Sequence, residues 1–195
     1  MSSRMAVLLA VLLAGCSTAG VSTTSSIGSL NAGPEPVRMD SRGLAFPPPA
    51  FNSFCAREPG LCRSTGSTKS VTLTPSRRAE LETVNLAVNR RISEVSDLHS
   101  VGKEDDWRLP ATVGDCEDIA ILKKAELIKR GWPASVLLLT VARSGGEGHV
   151  VLTVRTDKGD LVLDNQTNAI RDWRRSPYRY FARQSQSQYG KWERI

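Results

Sequence analysis

Histidine is nearly missing from this chain of 195 residues: His99 and His149 are the only two. An imidazole that does chemistry therefore has two candidate positions, and little coincidence is available to place one correctly. Cysteine is scarce as well, at four residues. Beyond the apolar run Met5–Ala14 no long hydrophobic stretch exists, and a run of about ten residues is too short to cross a bilayer. No internal repeat is visible, which excludes a repeat architecture. From Ser17 to about Pro49 large apolar side chains are few while Ser, Thr, Gly and Pro abound. That composition cannot offset its ordering entropy, so the segment reads as a flexible tether.

What is present at the N-terminus is an export signal: Arg4, the run Met5–Ala14, then the small residues Gly15-Cys16. Leu13-Ala14-Gly15-Cys16 also resembles the bacterial lipobox, in which Cys16 takes a diacylglycerol and becomes the mature N-terminus; an ordinary signal peptide cut nearby is the alternative. Acyl chains contribute roughly 0.8 kcal/mol per buried methylene and would hold the protein on a membrane. Ser17, rather than Asp, follows Cys16, which favours the outer membrane where the cell has one. The expected organisation is a signal at 1–15, a lipidated cysteine and tether at 16–49, and one domain at 50–195.

Export implies an oxidising compartment. Cys55 and Cys62 bracket a short Pro-Gly loop and are expected to pair, two reduced structural thiols being the alternative. Cys116 is then the odd cysteine, which flags a reactive thiol or an intermolecular partner. The net charge is +6, or +5 once Arg4 leaves, with much of the excess between Arg171 and Arg194. Such a tail suits anionic lipid, an acidic protein substrate, the cell wall, or simply a solvated surface. Export argues against nucleic acid.

Thr74-Pro75 reads as a cap and first helical position, and Leu81, Val84, Val88, Ile92 and Val95 continue at helical spacing, which predicts a helix over about 75–96. Asn85 and Asn89, four apart on its polar face, can meet. A loop from Asp97 to Thr112 follows. A second helix begins at Asp115 or Cys116, capped by Asp115 or its neighbour, and ends at Gly131-Trp132-Pro133. Its apolar residues cover most of its circumference, which predicts burial against both a sheet and another helix. Three strands are expected, over Ala134–Ala142, His149–Arg155 and Asp160–Asp164, and then a weak pattern with a frayed end. Helices first and an antiparallel sheet after is α+β.

Cys116 at a helix start, His149 on a strand and Asp164 at the end of the next strand supply a nucleophile, its base and an orienting acceptor. With an even loop between the last two strands, Arg155 faces Asp160 and Asp164 becomes a diagonal neighbour of His149, up to about 7–8 Å between Cβ atoms. An odd loop would separate them. Backbone N–H groups at the helix start favour a thiolate and an oxyanion, whereas Asp115, Glu117 and Asp118 crowd the thiol with negative charge that something must offset. Read blandly, these are a small buried hydrophobe, a strand histidine and a turn aspartate; together they read as a cysteine hydrolase.

Gly114-Asp115-Cys116-Glu117-Asp118-Ile119-Ala120 with Lys123, His149-Val150-Val151-Leu152, and Leu161-Val162-Leu163-Asp164-Asn165 resemble the nucleophile, histidine and aspartate motifs of the bacterial transglutaminase-like cysteine proteinases. Val84-Asn85, Val88-Asn89, Asp106-Trp107 and the Phe54–Arg63 segment fit the same family, and the resemblance covers about 51–175. It implies a papain-like α+β fold and a triad in which Cys116 attacks a carbonyl, His149 relays the proton and Asp164 orients His149. The LapG-type branch of the family is periplasmic and calcium-dependent, clips a large surface adhesin, and is sequestered by a membrane receptor that senses cyclic-di-GMP. Carried over by position, Asp115 and Glu117 would bind calcium, with further ligands from backbone, water or the loop holding Asp105 and Asp106. Helix-start acids that merely favour the dipole are the alternative. Two departures matter: the lipobox would fix this chain to a membrane, and nothing identifies a receptor-binding surface.

The expected function is an exported, membrane-anchored cysteine protease with calcium as cofactor, acting on a periplasmic or cell-surface protein, adhesin-type substrates included. Acyl transfer or amide cleavage in the cell wall, and a lipid-anchored binding module with a dead triad, remain the alternatives.

Overall fold

The computed structural model describes residues 36–103 and 105–195. The lipobox, Cys16 and the tether as far as residue 35 lie outside the described residues. In chain order the elements are β1 (Leu44–Ala45), α1 (Phe51–Arg57), α2 (Pro59–Cys62), α3 (Pro75–Arg91), β2 (Ser93–Glu94), α4 (Asp97–Val101), β3 (Val113–Gly114), α5 (Cys116–Lys129), β4 (Leu137–Ser144), β5 (Glu147–Thr156), β6 (Gly159–Leu163), β7 (Arg171–Asp172), β8 (Arg179–Gln184) and β9 (Trp192–Arg194). No helix among the described residues is long and apolar enough to cross a membrane.

Thr74 Oγ1 accepts the Arg77 N–H at 3.2 Å and Pro75 opens α3, as the cap signal predicts. Leu81, Val84 and Val88 are buried on one face. The helix stops at Arg91 rather than near 96. Ile92 turns extended, and Ser93–Glu94 pairs in parallel with Val113–Gly114, so a tertiary ladder replaces the last helical turn. Asn85 and Asn89 bond the turn after β6 rather than each other. In α5, residues from Glu117 to Leu127 are buried nearly all round, because the helix packs on α3 and on β4 and β5. Gly131, at φ +84°, closes it, with its N–H on Ile128 O.

The sheet has seven antiparallel strands in the order β1-β9-β8-β4-β5-β6-β7. The β5–β6 hairpin pairs Arg155 with Asp160 through a tight Asp157-Lys158 turn, an even connection. The C-terminal segment is not frayed: β8 lies beside β4 in the middle of the sheet, and β9 carries Trp192, which is fully buried. Phe51, Trp107 and Trp192 meet edge to face at 5.1–6.1 Å and anchor the core between helices and sheet. On the opposite face a smaller cluster gathers Met39, Val151 and Val162 under Trp173, Tyr178 and Tyr180.

The folded unit begins before the expected boundary at residue 50. Asp160, fully buried, accepts the Met39 N–H at 2.8 Å and pairs with Arg155 and Arg183, which in turn donate to Met39 O. Gly159, at φ +106°, lies so close to this strap that a Cβ there would stand 2.8 Å from Val37 O. Composition misjudged residues 36–49 because what holds them, the Asp160 carboxylate and the Val151–Val162 cluster that takes Met39, lies far along the chain. The Cys55–Cys62 disulfide is formed between α1 and α2.

Candidate active site

Gly114 brings the chain into α5 in tight quarters: a Cβ there would lie 2.8 Å from Asp118 and 3.0 Å from Pro110. Asp118, fully buried, accepts the Arg108 N–H at 2.8 Å and pins the preceding loop to the helix. Burial and nearby Asp115 push its carboxyl up to about 7, although the Arg108 N–H opposes the rise. Asp115 occupies the N-cap position without capping; its Oδ2 accepts the Asp97 N–H at 3.2 Å instead.

Cys116 is the first residue of α5 and the free cysteine of the described residues. Its Sγ accepts the Val150 N–H at 3.4 Å and donates to Glu117 Oε2 at 3.0 Å. Burial first, then the Glu117 charge and hydrogen bond, hold the thiol far above the ordinary range. Glu117 is itself raised to about 8 by burial and by Asp115.

His149 is buried, and its Nε2 bonds Asp164 Oδ1 at 2.9 Å. Nδ1 has no hydrogen-bond partner among the described residues. Asp164 sits just past β6, where Asn89 donates to its carbonyl at 2.9 Å. Burial alone would raise the Asp164 carboxyl, but donors on His149, Tyr178 and the Gln166 N–H outweigh it and keep it below the usual carboxylate range. Cys116, Glu117 and His149 line one cavity of about 310 Å³ with Trp107, Asp105 and Pro48. Among the described residues no hydrogen bond joins Cys116 to His149; the structure brings them to one cavity, and His149 to Asp164 by direct contact.

Of the acidic residues, Asp115 and Glu117 come together with Asp97, one carboxylate oxygen from each lying within 4.8 Å of the others. Asp115 Oδ1 is buried without a hydrogen-bond partner among the described residues. Three carboxylates and an orphaned oxygen fit a hard divalent cation, which takes oxygen ligands. Asp105 lines the cavity instead, and Asp106 pairs with Arg57, Lys103 and Arg108.

Two residues here escape a reading of the sequence. Asp97 reaches Asp115 only because the parallel β2–β3 pair sets the two chains side by side, and no spacing signals it. Tyr178 donates its hydroxyl to Asp164 Oδ2 and lies 5.0 Å from the His149 ring, from a segment whose pattern is weak.

Residues 41–195 match the family described as bacterial transglutaminase-like cysteine proteinase, BTLCP. No curated protein matches the chain. Among solved structures, Legionella pneumophila LapG in its calcium-bound form aligns at 24% identity over 75% of this chain and 81% of its own, with a TM-score of 0.52. The EGTA-treated form of the same protein aligns at 24% identity over 74% and 78%, also with a TM-score of 0.52. These likenesses show the fold, the expected α+β transglutaminase-like one.

Proposed function

The chain belongs to the bacterial transglutaminase-like cysteine proteinases and is a cysteine peptidase, and from that premise we propose that Cys116, His149 and Asp164 are its triad and an exported protein its substrate. The observation that carries this reading is the shared cavity of Cys116 and His149, with Asp164 bound to Nε2 of His149. Bonding Nε2 to Asp164 leaves Nδ1 to face the thiol and fixes the ring.

The Sγ–H turns from Glu117 to His149 Nδ1, which takes the proton as Sγ attacks the carbonyl carbon of the scissile peptide. The oxyanion is met by first-turn N–H groups of α5, which have no partner within the helix. The C–N bond breaks, and His149 returns the proton to the departing amine. Water, deprotonated by His149, then hydrolyses the thioester and regenerates the thiol. Asp164 holds the ring and stabilises the imidazolium throughout.

Asp97, Asp115 and Glu117 would hold calcium, the ion named for the bound form of LapG. Bound there, it would supply the positive charge that offsets three clustered carboxylates beside the nucleophile. In this reading Cys16 carries lipid and keeps the enzyme on the periplasmic face of a membrane, next to periplasmic or surface proteins, an adhesin among the candidates.

The test is the rate of Cys116 alkylation by iodoacetamide against pH, on the full chain with calcium, beside His149→Ala. The rate should persist well below the free-thiol pKa of about 8.5 and collapse in the variant. An ordinary thiol profile in both, with the protein folded, would falsify the assignment.

A further inference from the structure

Tyr178 has a second side. Its hydroxyl is on Asp164 and its ring on His149, yet it also walls a concavity of about 520 Å³ outside the catalytic cavity. Val37, Met39 and Ile195 give this groove an apolar floor, and Trp173 and Tyr180 continue its wall. Arg38, Arg42 and Arg179 line it and have no carboxylate partner among the described residues. Arg38 Nε is buried there with no hydrogen-bond partner among the described residues. The groove's fourth arginine, Arg174, is spent on Asp172 at 2.8 Å, and Asp40 is the acidic side chain on the lining. A neighbouring hollow shares Arg42, Arg179 and Tyr180 and adds Arg194, so the positive track continues along the sheet.

We propose that this groove is a docking subsite for an acidic stretch of the protein substrate, flanking the segment presented to Cys116. The inference rests on the peptidase reading above. An extended chain presents alternate side chains to opposite sides, so apolar residues can face the floor while carboxylates meet the arginines. Guanidinium groups bind carboxylates in paired, planar hydrogen bonds, and three without a carboxylate partner among the described residues, Arg179 stacked on Phe181, favour a run of Asp or Glu over a single residue. Tyr178 links the two places, since it lines the groove and its ring lies 5.0 Å from that of His149.

Two other polyanions fit less well. Single-stranded nucleic acid stacks its bases on open aromatic faces, but these rings pack edge to face on one another, Trp173 on Tyr180 at 6.0 Å and Tyr178 on Tyr180 at 6.3 Å. Their polar tips are also taken, by Val37 O, Ser176 and Asp164. A lipid surface is flat, whereas the arginines line a hollow.

The experiment is fluorescence anisotropy with the full chain carrying Cys116→Ser, which prevents turnover. The probes are a labelled peptide of alternating Asp and Ser and its twin with Asn for every Asp. The acidic peptide should bind, the neutral one should not, and rising salt should weaken binding. Arg42→Glu with Arg179→Glu should weaken it by at least about tenfold, and the Lys replacements at both positions should weaken it less, since they keep the charge and lose only the paired, planar hydrogen bonds. Equal binding of the two peptides, or an unchanged affinity after charge reversal, overturns the proposal. So does displacement of the peptide by phosphatidylglycerol vesicles or oligo-dT at lower concentration than by free acidic peptide. Cys116 alkylation, read in parallel on chains retaining the thiol, separates the two claims. An ordinary thiol profile beside arginine-dependent binding would fail the peptidase reading while the acidic ligand class stands.

Discussion

Tyr178 and Asp97 are single side chains on which two separate functions can be tested. Asp164 Oδ2 takes its proton donor from Tyr178, and hydrogen bonds to charged groups contribute about 1.5–3 kcal/mol. Tyr178→Phe keeps the ring beside His149 and removes only the donor. We expect kcat to fall by about tenfold or more with KM little changed. Losing a donor raises the Asp164 carboxyl, so the acid limb of the kcat profile should move to higher pH; a fixed limb would leave Tyr178 a packing residue. At Asp97 the readout is thermal. Calcium should raise the unfolding temperature of the parent protein, since a ligand that binds only the folded state stabilises it, by about 2.7 kcal/mol at a hundredfold excess over Kd. Asp97→Asn should lose most of that increment whatever its effect on basal stability, because it removes one of three carboxylates. No calcium shift in the parent would sink the metal site.

At the scale of elements, α5 is the unusual one, since burial nearly all round encloses Lys123 and Lys124. Lys124 is fully buried, with Nζ on Gln184 Oε1 at 2.9 Å. Burial lowers it from 10.5 to about 7. Between those two values the unfolded chain binds more protons than the folded one, so this group's contribution to stability rises with pH from about 7 to about 10.5. Below about 7 both states are charged and the full burial penalty applies. Lys124→Met should therefore be more stable than the parent by on the order of a few kcal/mol near neutrality, with the gap closing as pH approaches 10 (about the unfolded value). Urea midpoints across that range check it; a gap independent of pH would show that Lys124 holds its proton equally in the folded and unfolded chains.

The whole molecule is closed by residues 36–45, which run under one sheet face and then add an edge strand. The buried Asp160 is their anchor, and it pairs with Arg155 and Arg183 at the same time, Arg183 also reaching Glu193. Breaking a buried ion pair by removing one partner costs about 3–5 kcal/mol because the other charge stays buried. Asp160→Ala should lose that much in urea unfolding and should become open to trypsin at Arg38 and Arg42. A variant as stable and as protease-resistant as the parent would mean the strap is held by something else.

Local signals were legible without a structure. The Thr74-Pro75 cap, the start of α5 at Cys116 and the tight β5–β6 connection rest on backbone preferences and period-two alternation, which act between near neighbours in sequence. Motif order likewise sufficed to place Cys116, His149 and Asp164 on a helix, a strand and a strand end. The end of α3, the strap at 36–49 and the central place of β8 were not legible, because each depends on a partner far along the chain: Val113–Gly114, Asp160 and β4. The same holds within the site. Asp115 and Glu117 stand two apart in sequence, but Asp97 joins them only through a parallel strand pair, and Tyr178 reaches Asp164 only because β8 turns back beside β4. Sequence determined which chemistry this protein carries, since residue type and local backbone suffice for that; the tertiary structure decided which distant side chains hold it in place, since only packing brings them near.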